Sequence, residues 1–255
     1  MTSCDPDTGT CQVAGSGPSR APIHHPPRRQ LTLHYIGDPM CSWCWGIAPA
    51  VDEAASWCLT HGIGFEITVG GLRMGGGQPW NDAFKIFLRR EWMRIASVTG
   101  QPFGYTLLDA ADFHYDTEPA CRAIVCVQQM VATHTGSGHL QPLATDTLLP
   151  LHFMAVVQRK FYFEGRDPKQ LDFYADICPS LGLDFTRFSA LFTSNEAKQA
   201  TWQAVERCRR WGVEAFPTLL IERDGHLQTL SQGYTTAERI IEALSAFDHR
   251  DESPG

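Results

Sequence analysis

The chain has 255 residues, 43% of them hydrophobic, and a formal net charge of -7. That length and apolar fraction fit one large domain, or one domain carrying a substantial insertion. The acidic balance argues against nucleic acid and anionic membrane surfaces as partners, since both reward a basic face, and no apolar run approaches the roughly 18 residues needed to span a bilayer.

Residues 1–30 carry Pro6, Pro18, Pro22, Pro26 and Pro27 among Gly, Ser and Thr, with few large apolar side chains. They read as a flexible N-terminal tail. Within it, Cys4 and Cys11 frame CDPDTGTC, where Asp5, Pro6, Asp7 and Gly9 make a turn-rich loop that could let the two sulfurs meet. The pair is a candidate auxiliary redox couple. Two incidental thiols, or ligands for a soft metal, remain open alternatives. MTSCDPDTGTCQVAG has no basic segment leading into an apolar one, so no secretory signal is read and a cytoplasmic location is expected. Nine cysteines cannot all pair within one chain, and in a reducing compartment most are thiols. Cys58, Cys121, Cys126, Cys178 and Cys208 are expected to be small buried packing residues.

LTLHYIG (31–37) alternates apolar and polar β-formers and reads as a strand. DPMCSWCWG follows at 38–46. WGIAPAVDEAASWCLTHG (45–62) then has apolar residues at helical spacing, and GFEITVGGL (64–72) reads as a second strand. The glycine-rich stretch GGLRMGGG (70–77) fits neither nucleotide-loop pattern and reads as a connector, although its amides could cradle an anion. From about 79 to 195 the pattern is helical, with Pro150 expected to kink or split one block. A helix over 195–213, two strand runs flanking Asp224–Gly225, and a helix over 235–247 complete the order. Thr235 or Thr236 would cap that last helix, with Glu238 placed for a capping box. The expected division is a thioredoxin-like domain from 31–78 and 196–248, an inserted α-helical subdomain at 79–195, and a polar tail at 249–255.

Three chemistries compete for Cys41 and Cys44. Structural zinc needs four ligands; no second CxxC exists, and no pair of histidines at ligand spacing lies near Cys41 and Cys44. A static disulfide is disfavoured in a reducing compartment. A redox pair fits best, because a CxxC at a strand-to-helix transition is the thioredoxin-like pattern. At a helix N-terminus the Cys41 thiolate would be stabilised by unsatisfied N–H groups. Cys44, one turn inward, could then resolve a mixed disulfide. Ser42, Trp43 and Trp45 surround the pair. The tryptophans either shield it, meet substrate, or simply pack.

Phe216–Pro217 opens the run PTLLI, and proline is tolerated at a strand's first residue. The chain resembles the DsbA family of thioredoxin-fold thiol–disulfide oxidoreductases, most closely its FrnE-like branch of predicted protein-disulfide isomerases. HYIGDPMCSWCWGIAP, VGGL, IASVTGQPFG, DTEPACRAI, VVQRKFYFEGRDP, LGLDFTRF and GVEAFPTLLIERDG carry the likeness, across about residues 31–235. The resemblance implies an α/β, DsbA-like fold whose helical insertion caps the site. It also implies Cys41 as nucleophile, Cys44 as resolving thiol, Pro217 as a cis-proline and Phe216 as a substrate contact. Protein disulfides and thiols would be the substrates, with glutathione or a thioredoxin-type system as electron partner and no bound cofactor. Many relatives have Gly or Pro between the cysteines; Ser42–Trp43 here leaves the redox poise open. A kappa-class glutathione-linked isomerase or transferase fits less well, since those usually have serine at the position of Cys41. A non-catalytic chaperone or binding module is the alternative from another class.

Overall fold

The computed structural model describes residues 2–4, 11–13, 31–135 and 144–249. The first elements are two short strands, β1 (Thr2–Cys4) and β2 (Cys11–Val13), paired antiparallel with Cys4 opposite Cys11. These strands flank the CDPDTGTC loop, which the sequence reads as a turn able to bring its two cysteines together. Asp5–Thr10 and 14–30 lie outside the described residues.

β3 (Leu31–Gly37), α1 (Ser42–Thr60) and β4 (Gly64–Val69) form a unit in which β3 and β4 are parallel. The helices α2 (Asp82–Thr99), α3 (Glu118–Thr135), α4 (Ala144–Tyr162), α5 (Ile177–Ser180) and α6 (Phe185–Thr193) follow. Short 3-10 turns occupy Thr106–Asp109 and Leu171–Tyr174. Then come α7 (Asn195–Arg210), β5 (Thr218–Arg223), β6 (His226–Gln232) and α8 (Ala237–His249). The sheet order is β4-β3-β5-β6, with β5 antiparallel to both neighbours. This is a thioredoxin-like α/β architecture with helices inserted between β4 and α7.

Local chemistry sets the boundaries. Asn81 caps α2 by accepting from the Phe84 N–H at 3.0 Å, and Gly100, at φ 75°, ends it. Asp224 (φ 52°) and Gly225 (φ 79°) both sit at positive φ, as the tight β5–β6 hairpin demands. Thr236 caps α8 through the Arg239 N–H at 3.5 Å. That puts Arg239, not Glu238, at the third helical position, so the expected capping box does not form. α4 runs through Pro150 as one helix rather than splitting.

Helices cover both faces of β3, and all of it but Thr32 is buried. Leu33 and Tyr35 join the core with α1 residues Ile47, Val51 and Cys58. Ile36 packs with Leu220, Cys208 and Val213 on the other face. His34 is only 3% exposed; its Nε2 is 2.7 Å from Glu222 Oε2, and its ring lies edge-on to Trp211. A second, aromatic cluster includes Trp92, Phe113, Tyr115, Phe161 and Tyr162, and it takes in Met40, just before α1, and Trp45 in the first turn of α1. Burying each such ring stabilises by about 2–3 kcal/mol, so the inserted helices are firmly joined to the helix that bears the cysteines. Among the described residues no helix is long and apolar enough to cross a membrane.

Candidate active site

Cys41 is the N-cap of α1, with extended backbone (φ -91°, ψ 118°), no side-chain cap hydrogen bond and no acidic residue in the first turn. Its sulfur therefore meets the free N–H groups of a helix start. The Cys41 pKa lies below the ordinary thiol value. The Cys44 thiol donating to it is the main cause, and the backbone N–H groups of Cys44 and Trp43 add to this; burial and Asp38 oppose it. Cys44 is fully buried and goes the other way, pushed well up by burial first and then by Cys41. Of the two thiols, only Cys41 is set to ionise.

Across from α1 the Phe216–Pro217 peptide is cis, and the Cys41 thiol donates to the Phe216 carbonyl at 3.7 Å. Gly70 makes room for this approach: a Cβ there would stand 2.1 Å from the Phe216 ring. Trp43 is partly buried, 6.1 Å from the Tyr234 ring, with the Arg94 guanidinium 5.6 Å over its face. Trp45 faces inward: it is 5% exposed and its indole N–H donates to Pro102 O at 3.0 Å. Residues two apart on a helix lie about 200° apart, so Trp43 is the tryptophan at the rim. Ser42 is partly exposed beside it. Pro49, inside α1, cannot donate to the Trp45 carbonyl, and the Gln101 side chain does so instead at 2.9 Å.

Asp38, which sequence reasoning did not single out, organises the approach to the pair. It is fully buried. Oδ1 accepts from the Met40 N–H at 2.8 Å, and Oδ2 from the Leu72 N–H at 2.6 Å and the Cys121 thiol at 3.4 Å. Its own N–H donates to Cys44 Sγ at 3.4 Å. Burial raises the Asp38 pKa against these hydrogen bonds. The glycine-rich stretch is therefore no loose connector. Gly70 N–H donates to Gly37 O at 2.8 Å, Arg73 N–H to Thr117 Oγ1 at 3.1 Å and Gly75 N–H to Asp116 Oδ1 at 2.8 Å. Tyr115 completes the frame, its hydroxyl donating to Met40 O at 2.8 Å. The only early hint of Asp38 was its place in DPMC, where an Asp-Pro reads simply as a turn.

The structure thus brings Cys41, Cys44, Phe216, Pro217 and Trp43 together. Cys58, Cys121, Cys126, Cys178 and Cys208 are all buried, as expected. Burial pushes Cys58, Cys126 and Cys178 up to about 12 and Cys208 to about 11. Among the described residues no group of three His, Cys, Asp or Glu side chains converges to hold a metal. A cavity of about 270 Å³ opens between α1 and α4, lined by Tyr35, Pro49, Asp52, His152 and Gln158 among others; neither cysteine lines it.

In native reduced protein, Cys41 should react with iodoacetamide with a pH midpoint below that of an ordinary thiol. Reactivity should persist as pH falls and disappear only through that depressed pKa. Cys44, Cys58, Cys121, Cys126, Cys178 and Cys208, all buried, should stay unmodified. Mass spectrometry after quenching at each pH reads both, and a Cys41 midpoint at or above the ordinary thiol value would contradict this electrostatic account.

A β–CxxC–α–β unit facing a cis-proline loop, with helices inserted, is the DsbA-like form of the thioredoxin fold. No family model matches the chain. It is 30% identical to a solved structure from Nitrosomonas europaea, a candidate protein disulfide isomerase; the match covers 88% of this chain and 100% of that one, with a TM-score of 0.73. The cytosolic disulfide reductase DsbM of Pseudomonas aeruginosa is 28% identical over 87% of this chain and 100% of its own, with a TM-score of 0.64. Among curated proteins, the ClpXP adapter protein SpxH of Shouchella clausii is 21% identical over 225 residues, 87% of this chain. The chain spans 66% of the length of that relative. The chain belongs to the DsbA family of thioredoxin-fold proteins, and its class of activity is thiol–disulfide oxidoreduction.

Proposed function

We propose that the chain reduces protein disulfides through a Cys41–Cys44 cycle, with glutathione as electron donor, in the cytoplasm. The observation that carries this is one lowered and one raised thiol pKa in a CxxC facing the Phe216 carbonyl. Cys41 thiolate attacks one sulfur of a substrate disulfide. A mixed disulfide forms, and one substrate thiolate leaves and takes a proton. Cys44 then loses its proton and attacks the Cys41 sulfur, which releases the second substrate thiol and leaves a Cys41–Cys44 disulfide. Two glutathione thiols restore the dithiol and depart as glutathione disulfide. In this reading Phe216 and Trp43 meet the substrate, Pro217 holds the Phe216 carbonyl in place, and the helices of 79–195 cap the site.

The reducing direction and the donor rest on likeness to DsbM, whose structure was also solved with glutathione and is 25% identical to this chain in that form. Insulin reduction coupled to glutathione tests the proposal. Turnover should require glutathione and fall to background in the Cys41→Ser/Cys44→Ser protein. Glutathione-independent turnover would reject the donor. A cysteine-free protein that still suppressed aggregation of an unfolded client would favour a binding module instead.

A further inference from the structure

The helix α2 has two unlike faces. Phe84, Leu88, Trp92 and Ile95 bury one of them. The opposite face is solvent-exposed, yet it holds Ile86, Phe87, Met93 and Val98, each between 51% and 57% exposed. These are four of the eight large apolar side chains exposed among the described residues, and all lie on one helix. Scattered singly they would need no explanation; gathered on one face they mark a contact surface.

Two arginines thread the same face. Spacings of seven and four put Phe87, Arg94 and Val98 in one row, and Ile86, Arg90 and Met93 in the next. Arg94 pairs weakly with Glu91 at 3.7 Å. Arg90 is exposed, with no ion-pair partner among the described residues. On a chain of net charge -7, this is a local reversal of sign. The face also runs into the redox site, because the Arg94 guanidinium sits over the ring of Trp43, between Cys41 and Cys44.

We propose that this face of α2 docks the protein substrate. It takes an extended segment of apolar side chains and carboxylates beside the disulfide that reaches Cys41. The proposal rests on the disulfide-exchange reading above and names its substrate class. Apolar rows suit an unfolded segment, the arginines complement its carboxylates, and continuity with Trp43 delivers its sulfur to Cys41. A second copy of this chain fits less well, since self-pairing of the face across a two-fold axis would oppose arginine to arginine. A small disulfide engages Cys41 without touching α2.

Two measurements test this on full-length protein, comparing wild type with Phe87→Ser/Arg90→Glu/Met93→Ser. The first is fluorescence anisotropy of a labelled acidic–apolar peptide with serine in place of cysteine, which reads docking without exchange. The second is glutathione-coupled turnover of the cysteine peptide as its mixed disulfide with glutathione, set against 2-hydroxyethyl disulfide. The triple variant should weaken peptide binding and raise the peptide KM by about tenfold. Peptide kcat, and all kinetics on 2-hydroxyethyl disulfide, should stay within about twofold. Arg90→Lys should bind like wild type, and a basic–apolar peptide should bind wild type about tenfold more weakly. Equal binding by wild type and triple variant would overturn the proposal. So would sedimentation showing a dimer that the triple variant dissolves. Peptide binding without turnover of either disulfide would leave docking standing and reject disulfide exchange.

Discussion

Cys41→Ser should lower disulfide exchange by about a thousandfold or more. A serine hydroxyl ionises far above neutral pH and forms no exchangeable bond with sulfur, so no later step compensates. Cys44→Ser should behave differently. The first attack needs only Cys41, so the mixed disulfide still forms, but the thiol paired with Cys41 that would resolve it is gone. The Cys44→Ser protein should therefore accumulate as a covalent adduct with substrate or glutathione, visible on non-reducing gels and by intact mass. Turnover by Cys41→Ser near the wild-type rate, or a Cys44→Ser protein that forms no adduct, would contradict the assigned order of the two thiols.

Asp38→Ala should be the most damaging change outside the cysteines. It removes the acceptor of the Met40 and Leu72 N–H groups and of the Cys121 thiol in a fully buried position. Each orphaned backbone donor costs about 1–3 kcal/mol, so the total is about 3–5 kcal/mol, at the upper end of single substitutions. For a chain of this size the Tm should fall on the order of 10 °C. Asp38→Asn keeps one carbonyl oxygen and should recover about half of the loss. The loss also reaches the chemistry, since Met40 and Leu72 hold the Cys41 turn and the glycine loop to one carboxylate. Asp38→Ala should therefore move the pH midpoint of Cys41 alkylation, whereas a merely structural residue far from the site would lower Tm and leave that midpoint alone. Wild-type Tm and an unchanged midpoint in Asp38→Ala would show that the carboxylate organises nothing.

The cysteine pair and the strand–helix–strand unit around it were legible because they are local. Period two gives way to period 3.6 at Cys41, and the spacing of two residues has a chemical meaning at a helix start. Phe216–Pro217 was legible as a strand opening, but its closeness to Cys41 arises only when β5 pairs with β3. Asp38 was not legible. Its burial depends on the glycine stretch and α3 folding over it, and neither leaves a local signal. The burial of His34 follows likewise from Trp211 and Glu222, far along the chain. The inward turn of Trp45 was within reach, since helix geometry separates it from Trp43. Residues that point toward partners are the hardest case: the exposed face of α2 breaks the amphipathic pattern, and pattern alone reads its apolar side chains as core.

The reduction potential of the Cys41–Cys44 couple, equilibrated against glutathione and read by thiol trapping with tryptophan fluorescence as a second signal, tests the account most directly. A reversible two-electron couple at about -200 to -230 mV, low enough to reduce a less stable disulfide and high enough for glutathione to restore the dithiol, is predicted. A couple near about -120 mV would turn the protein into an oxidant, and the absence of any reversible couple would contradict the Cys41–Cys44 cycle itself.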